Sequence, residues 1–185
     1  MRPLLRISWV AVLPHLGLKV FAYLRLEWPV MKIALGADHA GFELKEVVKR
    51  LLLTQGMQVE DRGTYSTESV DYPDFARAVG EEVAAGQADF GILVCGTGIG
   101  MSMSANKVAG VRAAKVDTEY EAEMARAHND ANVLCLGARV SDAATAEKLI
   151  RKFLDTSFEG GRHQRRVTKI MAIEPKKSSA TDSHG

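Results

Sequence analysis

The 185-residue chain is the size of one ordinary domain and is long enough to bury a sizeable core. With 46% hydrophobic and 25% charged residues, it has the balance of a folded soluble protein rather than of a disordered one. A formal net charge of +1 supplies no global field for nucleic acid, so an anionic ligand must be met by local basic groups.

Residues 1–30 read as an extension outside the fold. They carry Arg2, Arg6, Lys19 and Arg25 against one acid, Glu27, with Trp9 and Trp28 among many aliphatics. Pro14, His15 and Lys19 interrupt the run of ~20 apolar residues that a membrane span needs. No small-residue cleavage site follows a compact apolar stretch, which argues against a secretory signal. An upstream start codon explains the segment best, and an organellar transit peptide stays open as the alternative.

From Met31 the hydrophobic period alternates between strand and helix. Residues 31–36 (MKIALG) are a short apolar run ending in glycine, which predicts a buried strand. Leu44, Val47, Val48, Leu51 and Leu52 then repeat at helical spacing until Gly56 stops the helix. Residues 57–61 read as a second strand. Tyr72-Pro73 opens a helix reaching about Ala85, with proline in the first turn, where its missing N–H costs nothing. Residues 90–94 form a third strand, apolar on both faces, and 102–108 a helix after a glycine loop. Residues 111–116 read as a fourth strand. Thr118 and Glu121 have capping-box spacing and predict a helix to about Ala127. A fifth strand follows at 132–136, then a helix capped by Ser141 that reaches Leu154, then a last helix at 162–173. The tail, 175–185, is rich in Lys, Ser, Ala and Asp and reads as disordered.

This alternation predicts a single Rossmann-like three-layer α/β sandwich over 31–174. Its five-stranded parallel sheet is covered by helices on both faces, with order 2-1-3-4-5 and a C-terminal helix. Ligands of such sheets sit outside the carboxyl ends of the strands, where the strand order switches. That rule pairs the loop at 37–41 with the loop at 95–100.

The second of these loops, CGTGIG, carries the strongest local signal. Gly96, Gly98 and Gly100 let the backbone approach a ligand and turn successive N–H groups inward, a nest for an anion. A dinucleotide fingerprint needs glycine at position 101, and a cysteine phosphatase needs arginine there; Met101 excludes both. No Gly-Lys-Ser/Thr follows, so the loop is not a Walker motif either. What remains is a thiol, Cys95, at the mouth of a glycine nest. A free thiol titrates near ~8.5, and N–H groups or a helix start lower that value. Such a thiolate can take a proton from carbon while the nest holds the developing oxyanion. Cys135 is followed by Leu136-Gly137 alone and reads as a buried core thiol. Both cysteines end apolar runs far apart, so a disulfide is not expected and the compartment reads as reducing and cytoplasmic.

Asp38 and His39, after the first strand, are either ligand contacts or, for Asp38, a helix cap. His128, beside Asn129 and before the fifth strand, is a candidate general acid or base placed at the same sheet edge. Arg139 follows the fifth strand. Arg162 and Arg166 are four apart, so on a helix they share a face that either grips one phosphate or is simply solvated.

The segments GADHAGFELK, DYPDFA, CGTGIGMSMSANK, GVRAA, HNDANVLCLGARV and EGGRHQRRV, in this order, resemble the ribose/galactose sugar-phosphate isomerases. The resemblance is to their B-type ribose-5-phosphate isomerases and covers about 31–174. It implies interconversion of ribose 5-phosphate and ribulose 5-phosphate through an enediol, a step of the pentose phosphate pathway. Cys95 matches the base that shuttles a proton between C1 and C2, and His128 the group that opens the furanose ring. Gly96, Thr97, Gly98, Ile99 and Gly100 match the loop around the substrate's oxygens. Asp38, His39 and Asn129 match residues that hold sugar hydroxyls, and Arg139, Arg162 and Arg166 those that hold the phosphate. Some branches replace the cysteine by a glutamate near the loop's end; Met101 stands there here. The resemblance also implies a homodimer or dimer of dimers with sites shared between subunits. No metal, cofactor, nucleic-acid or membrane partner is expected. Two rivals stay open: an isomerase for galactose or allose 6-phosphate, and a non-catalytic sugar-phosphate sensor needing neither Cys95 nor His128.

Overall fold

Five parallel strands carry the core. The computed structural model describes residues 6–8, 25–27 and 30–174. Within the unit Lys32–Gly185 the sheet strands are β3 (Lys32–Ala37), β4 (Gln58–Asp61), β5 (Phe90–Cys95), β6 (Ala113–Lys115) and β7 (Val133–Gly137). The helices are α1 (Phe42–Thr54), α2 (Tyr72–Ala84), α3 (Ile99–Ala105), α4 (Glu119–Ala127), α5 (Ala143–Asp155) and α6 (Arg162–Met171). The unit Met1–Met31 holds a two-stranded antiparallel ribbon, β1 (Arg6–Ser8) against β2 (Arg25–Glu27), where the sequence predicts no element. The remaining expectations for 1–30, and the tail at 175–185, lie outside the described residues.

The expected α/β sandwich is present, with one correction. The sheet runs β4-β3-β5-β7-β6, which is 2-1-3-5-4 in order of appearance, so the last two strands exchange places relative to the expected order. The physical reason lies in their burial. All five residues of β7 are buried, as suits a strand flanked on both sides, whereas the three residues of β6 are half-buried and form an edge. α2 and α3 cover one face of the sheet, and α1 and α5 the other, with α4 packed on α5.

Helix ends follow local chemistry. Thr118 and Glu121 close the capping box reciprocally, at 3.2 Å and 3.0 Å. The cap of α5 is Asp142, one residue past the expected Ser141; its Oδ1 accepts from the Thr145 N–H at 2.8 Å. α3 begins at Ile99, three residues before its predicted start, directly on the glycine loop. α5 buries Ala146, Leu149, Ile150 and Phe153 at helical spacing, and Phe153 meets Phe90 edge-on with centroids 5.7 Å apart.

Candidate active site

The strand exchange decides what lies beside the glycine loop. Because β7 neighbours β5, Cys95 pairs with Gly137 and the chain after β7 runs over the loop. The Ala138 N–H donates to the Cys95 carbonyl at 2.8 Å, and the Arg139 N–H to the Gly96 carbonyl at 3.0 Å. The Arg139 guanidinium lies against Gly96, where a Cβ would sit 3.4 Å from Nη1. On the other side the Asp38 N–H donates to the Val94 carbonyl at 3.2 Å. Asp38, Cys95, Gly96 and Arg139 thus gather at the carboxyl edge of three adjacent strands.

Cys95 is 5% exposed, and its Sγ accepts from the Gly98 N–H at 3.1 Å. Gly98 makes that turn with φ of 77°, and a Cβ there would press on Leu136 backbone and the Lys115 side chain. Thr97 Oγ1 accepts from the Ile99 N–H at 3.4 Å; both residues face solvent. The first N–H groups of α3 have no helical carbonyl to meet and open toward the same edge. Asp38 is buried and its Oδ1 accepts from the Gly41 N–H at 2.9 Å, so it closes the turn before α1 rather than capping it directly. His39 Nδ1 accepts from the Val70 N–H at 3.2 Å, which fixes the ring against the segment leading into α2.

His128 is not at this edge, contrary to the expectation. A helix between parallel strands runs back along them, so the C-terminal end of α4, where His128 sits, reaches the amino edge of the sheet. There Val133 pairs with Gly91, four residues before Cys95, so about 13 Å of strand runs from that edge to the thiol. Around His128 collect Asn129, Arg162 and Arg166. Asn129 is exposed, and its Nδ2 donates to the Met124 carbonyl at 3.4 Å. Arg162 and Arg166 lie exposed on α6, while His163 and Val167 of the same helix are buried. Neither Arg139 nor Arg166 has a carboxylate partner among the described residues. One chain therefore carries two separate clusters: a thiol with a glycine nest and Arg139, and an imidazole with two guanidiniums.

Four residues near these clusters were not singled out from the sequence. Tyr72, read there as a helix start, lays its ring on Gly100, where a Cβ would meet it at 2.7 Å. Lys115 reaches the loop at Gly98 and pairs with Asp117. His163 stacks on His128, and Glu159 lies beside both. The only advance signal for His163 was its place one residue after Arg162 in EGGRHQRRV.

His128, Glu159 and His163 also form a trio whose ligand atoms lie within 4.8 Å of one another, a cluster too dispersed in sequence to be expected. Its geometry suits a metal poorly. The two rings are parallel within 9°, so their lone pairs run side by side instead of converging, and Arg162 Nε already donates to His163 Nε2.

A thiol in a glycine loop at the carboxyl edge of a parallel sheet, with the Arg139 guanidinium against it, is the kind of place where α/β folds bind small ligands. The chain belongs to the ribose/galactose isomerase family, whose model matches residues 33–170. It is 47% identical over 147 residues to ribose-5-phosphate isomerase B of Escherichia coli (strain K12), covering 80% of this chain and 99% of that protein. The ribose-5-phosphate isomerase B structure from Clostridium thermocellum superposes with a TM-score of 0.77 at 49% identity, covering 77% of this chain and 97% of that one. The Mycoplasma genitalium ribose-5-phosphate isomerase B structure with bound ribulose-5-phosphate gives 0.74 at 45% identity, covering 77% and 95%. No helix among the described residues is long and apolar enough to cross a membrane.

Proposed function

We propose that this chain interconverts ribose 5-phosphate and ribulose 5-phosphate, with each site completed by two copies of the chain. The observation that carries the reading is Cys95 Sγ at the mouth of the glycine loop, held by the Gly98 N–H at 3.1 Å. The identity of about half the residues to B-type ribose-5-phosphate isomerases supports the substrate.

His128 gives a proton to the ring oxygen as the bond from C1 to that oxygen breaks, and the anomeric hydroxyl loses its proton to leave an open-chain aldehyde. The Cys95 thiolate takes the proton from C2. Electrons move onto O1 to give an enediolate, which the N–H groups of Gly96–Gly100 stabilise. The proton returns to C1 while one moves from O2 to O1, and the ketose forms. Atoms and electrons balance within the sugar, so the reaction needs no external oxidant or reductant. Asp38, His39, Thr97 and Asn129 hold hydroxyls, and Arg139, Arg162 and Arg166 bind the phosphate bidentately.

The shared site follows from distance. A proton-transfer group must lie ~2.6–3.2 Å from its target. Within one chain, however, His128 belongs to the amino edge of the sheet, where Val133 pairs with Gly91, and Cys95 lies about 13 Å of strand further on. Two copies related by a two-fold axis bring the His128 cluster of each against the glycine loop of the other. The same reading makes the enzyme a homodimer, and the free thiols of Cys95 and Cys135 support a reducing compartment such as the cytoplasm. Turnover of ribose 5-phosphate, measured beside galactose and allose 6-phosphates with and without EDTA, tests it. Rapid conversion of the pentose phosphate, unchanged by EDTA, is the expected result; no turnover of it by folded protein overturns the proposal.

A further inference from the structure

We propose that His163 is a positioning residue that holds the ring-opening imidazole, His128, and the phosphate-binding guanidinium, Arg162, in one arrangement. The inference rests on the function proposed above. The His163 ring is 4% exposed and lies parallel to that of His128, with centroids 4.1 Å apart and planes within 9°. Its Nε2 accepts from Arg162 Nε at 3.1 Å. One buried ring therefore touches both functional side chains, through its face and through its edge.

The arrangement is set by α6. His163 and Val167 are one turn apart on the buried face, which anchors the ring to the core while Arg162 and Arg166 project outward. Because Arg162 donates to Nε2, the lone pair is there and the ring proton is on Nδ1, which is the neutral tautomer. Burial pushes the His163 imidazole below its ordinary value, and His128 and Arg162 push it further the same way. The charged groups facing it are His128, Arg162, Arg166 and Glu159.

A neutral plate is what a proton-transferring neighbour requires. Two imidazoliums stacked 4.1 Å apart would repel, so keeping His163 neutral lets His128 alone gain and lose the proton. The Glu159 carboxylate, 3.7 Å from His128 Nε2, faces the charge when it forms. The stack also fixes the plane in which His128 points its proton toward the substrate, a step in which a misplacement of about 1 Å costs as much as ~10²-fold in rate.

Two variants separate the contacts. His163→Phe keeps a flat buried plate and loses the acceptor; His163→Gln keeps an acceptor and loses the plate. His163→Phe is expected to raise KM about tenfold for both substrates, with forward and reverse kcat falling little. His163→Gln is expected to leave KM near that of the wild type and to cap the conversion of ribose 5-phosphate at the spontaneous ring-opening rate. Added enzyme then no longer speeds the forward reaction, while open-chain ribulose 5-phosphate is still consumed quickly. Identical behaviour of the two variants, or losses that follow melting temperature alone, would overturn the proposal. His128→Ala, run alongside, keeps the two ideas apart. If it shows no forward cap, the ring-opening role of His128 fails; if it shows one and His163→Gln does not, the positioning role alone fails. A measurement on the unaltered enzyme needs no variant to fold: imidazole nitrogen NMR should find His163 neutral, with its proton on Nδ1, between about pH 6 and 8. A His163 proton on Nε2, or a His163 ring charged in that range, would overturn the proposal as well.

Discussion

The Ala138 N–H donates to the Cys95 carbonyl at 2.8 Å, which ties the end of β7 to the end of β5. That single bond exists because the fifth strand, not the fourth, lies beside the third. It carries Arg139 onto the glycine loop and leaves the His128 cluster at the far edge, so the two clusters sit at opposite ends of one sheet.

The two cysteines should separate chemistry from packing. Cys95→Ser is expected to lower kcat about 10²–10⁴-fold with little change in melting temperature, the range over which a positioned proton-transfer group acts. Cys135 is fully buried, and burial pushes its thiol well above the ordinary range, so it stays protonated and inert. Cys135→Ser should leave kcat near that of the wild type and cost about 1–3 kcal/mol of stability, because it buries a hydroxyl in the core. Kinetics and denaturant unfolding of both variants check the contrast.

Mixing inactive variants tests the shared site. Cys95→Ala and His128→Ala each remove one half, so neither pure dimer converts cyclic ribose 5-phosphate efficiently. In a mixed dimer one of the two sites combines an intact Cys95 with an intact His128 from different chains. Random reassortment should therefore restore about a quarter of the wild-type forward rate. If the site were built within a single chain, mixing would restore nothing.

A methyl group at Gly137 should act on the loop rather than on the fold. A Cβ there would sit 2.8 Å from the Thr97 carbonyl carbon and 2.9 Å from its Cα, backbone atoms with no rotamer to escape into. Gly137→Ala is expected to shift the loop and reduce kcat by about 10²-fold. Gly86→Ala makes the control: with φ of 70° and no neighbour within 4 Å, it should cost about 1–2 kcal/mol of stability and leave activity intact. Equal activity in the two variants would mean that the Gly137–Thr97 contact does not set the loop.

Acid stability should depend on Asp61. Lys45 is fully buried, with Nζ 2.7 Å from Asp61 Oδ2 and 2.7 Å from Glu46 Oε1, and Lys49 reaches Asp61 at 2.8 Å. Burial alone would push the Asp61 carboxyl up. The two ammoniums and the Gly63 N–H outweigh burial and hold it below the ordinary carboxylate value. A folded value below the unfolded one gives stability that is complete above the unfolded value, ~3.9, and is lost as pH falls through the folded one. Asp61→Asn should cost about 1–3 kcal/mol at neutral pH, since it leaves the buried Lys45 ammonium with Glu46 as its remaining carboxylate partner, and should flatten the loss of stability below pH ~4. Urea unfolding across pH 2–7 gives both readings; an unchanged acid limb in the variant would place the acid sensitivity elsewhere.

Much of this was legible in the sequence, and the gaps have physical causes. Ile33–Ala37, Ile92–Val94 and Val133–Leu136 announce central strands because they are apolar on both faces. The exchange of β6 and β7 was derivable and missed: Val133–Leu136 is apolar throughout, as suits a strand flanked on both sides, whereas Ala113–Lys115 is short and ends in a lysine, as suits an edge. The glycine loop was legible because it is contiguous. The edge on which His128 lies was derivable but misread: a residue that ends a helix and precedes a parallel strand belongs at the amino edge. His163 escaped because the arginines around it carry the more familiar phosphate chemistry. Its burial follows from its spacing with Val167, which is a property of the helix rather than of the motif.

A chain that starts at Met31 should hold everything the sheet and both clusters need. The hydrogen bonds of the five-stranded sheet run from Lys32 to Gly137, and every buried core residue among those described falls between Ile33 and Val167. The unit Lys32–Gly185 separates from Met1–Met31, and the 147 residues matching the Escherichia coli isomerase span 99% of that protein. None of the residues placed here in either cluster precedes Asp38. A chain starting at Met31 should therefore keep the melting temperature of the full chain within about 2 °C, remain a dimer, and turn over ribose 5-phosphate at the same kcat. Calorimetry, light scattering and the turnover assay on the two chains provide the comparison. A lower melting temperature together with lost activity in the shorter chain would show that residues 1–30 contribute to the folded enzyme.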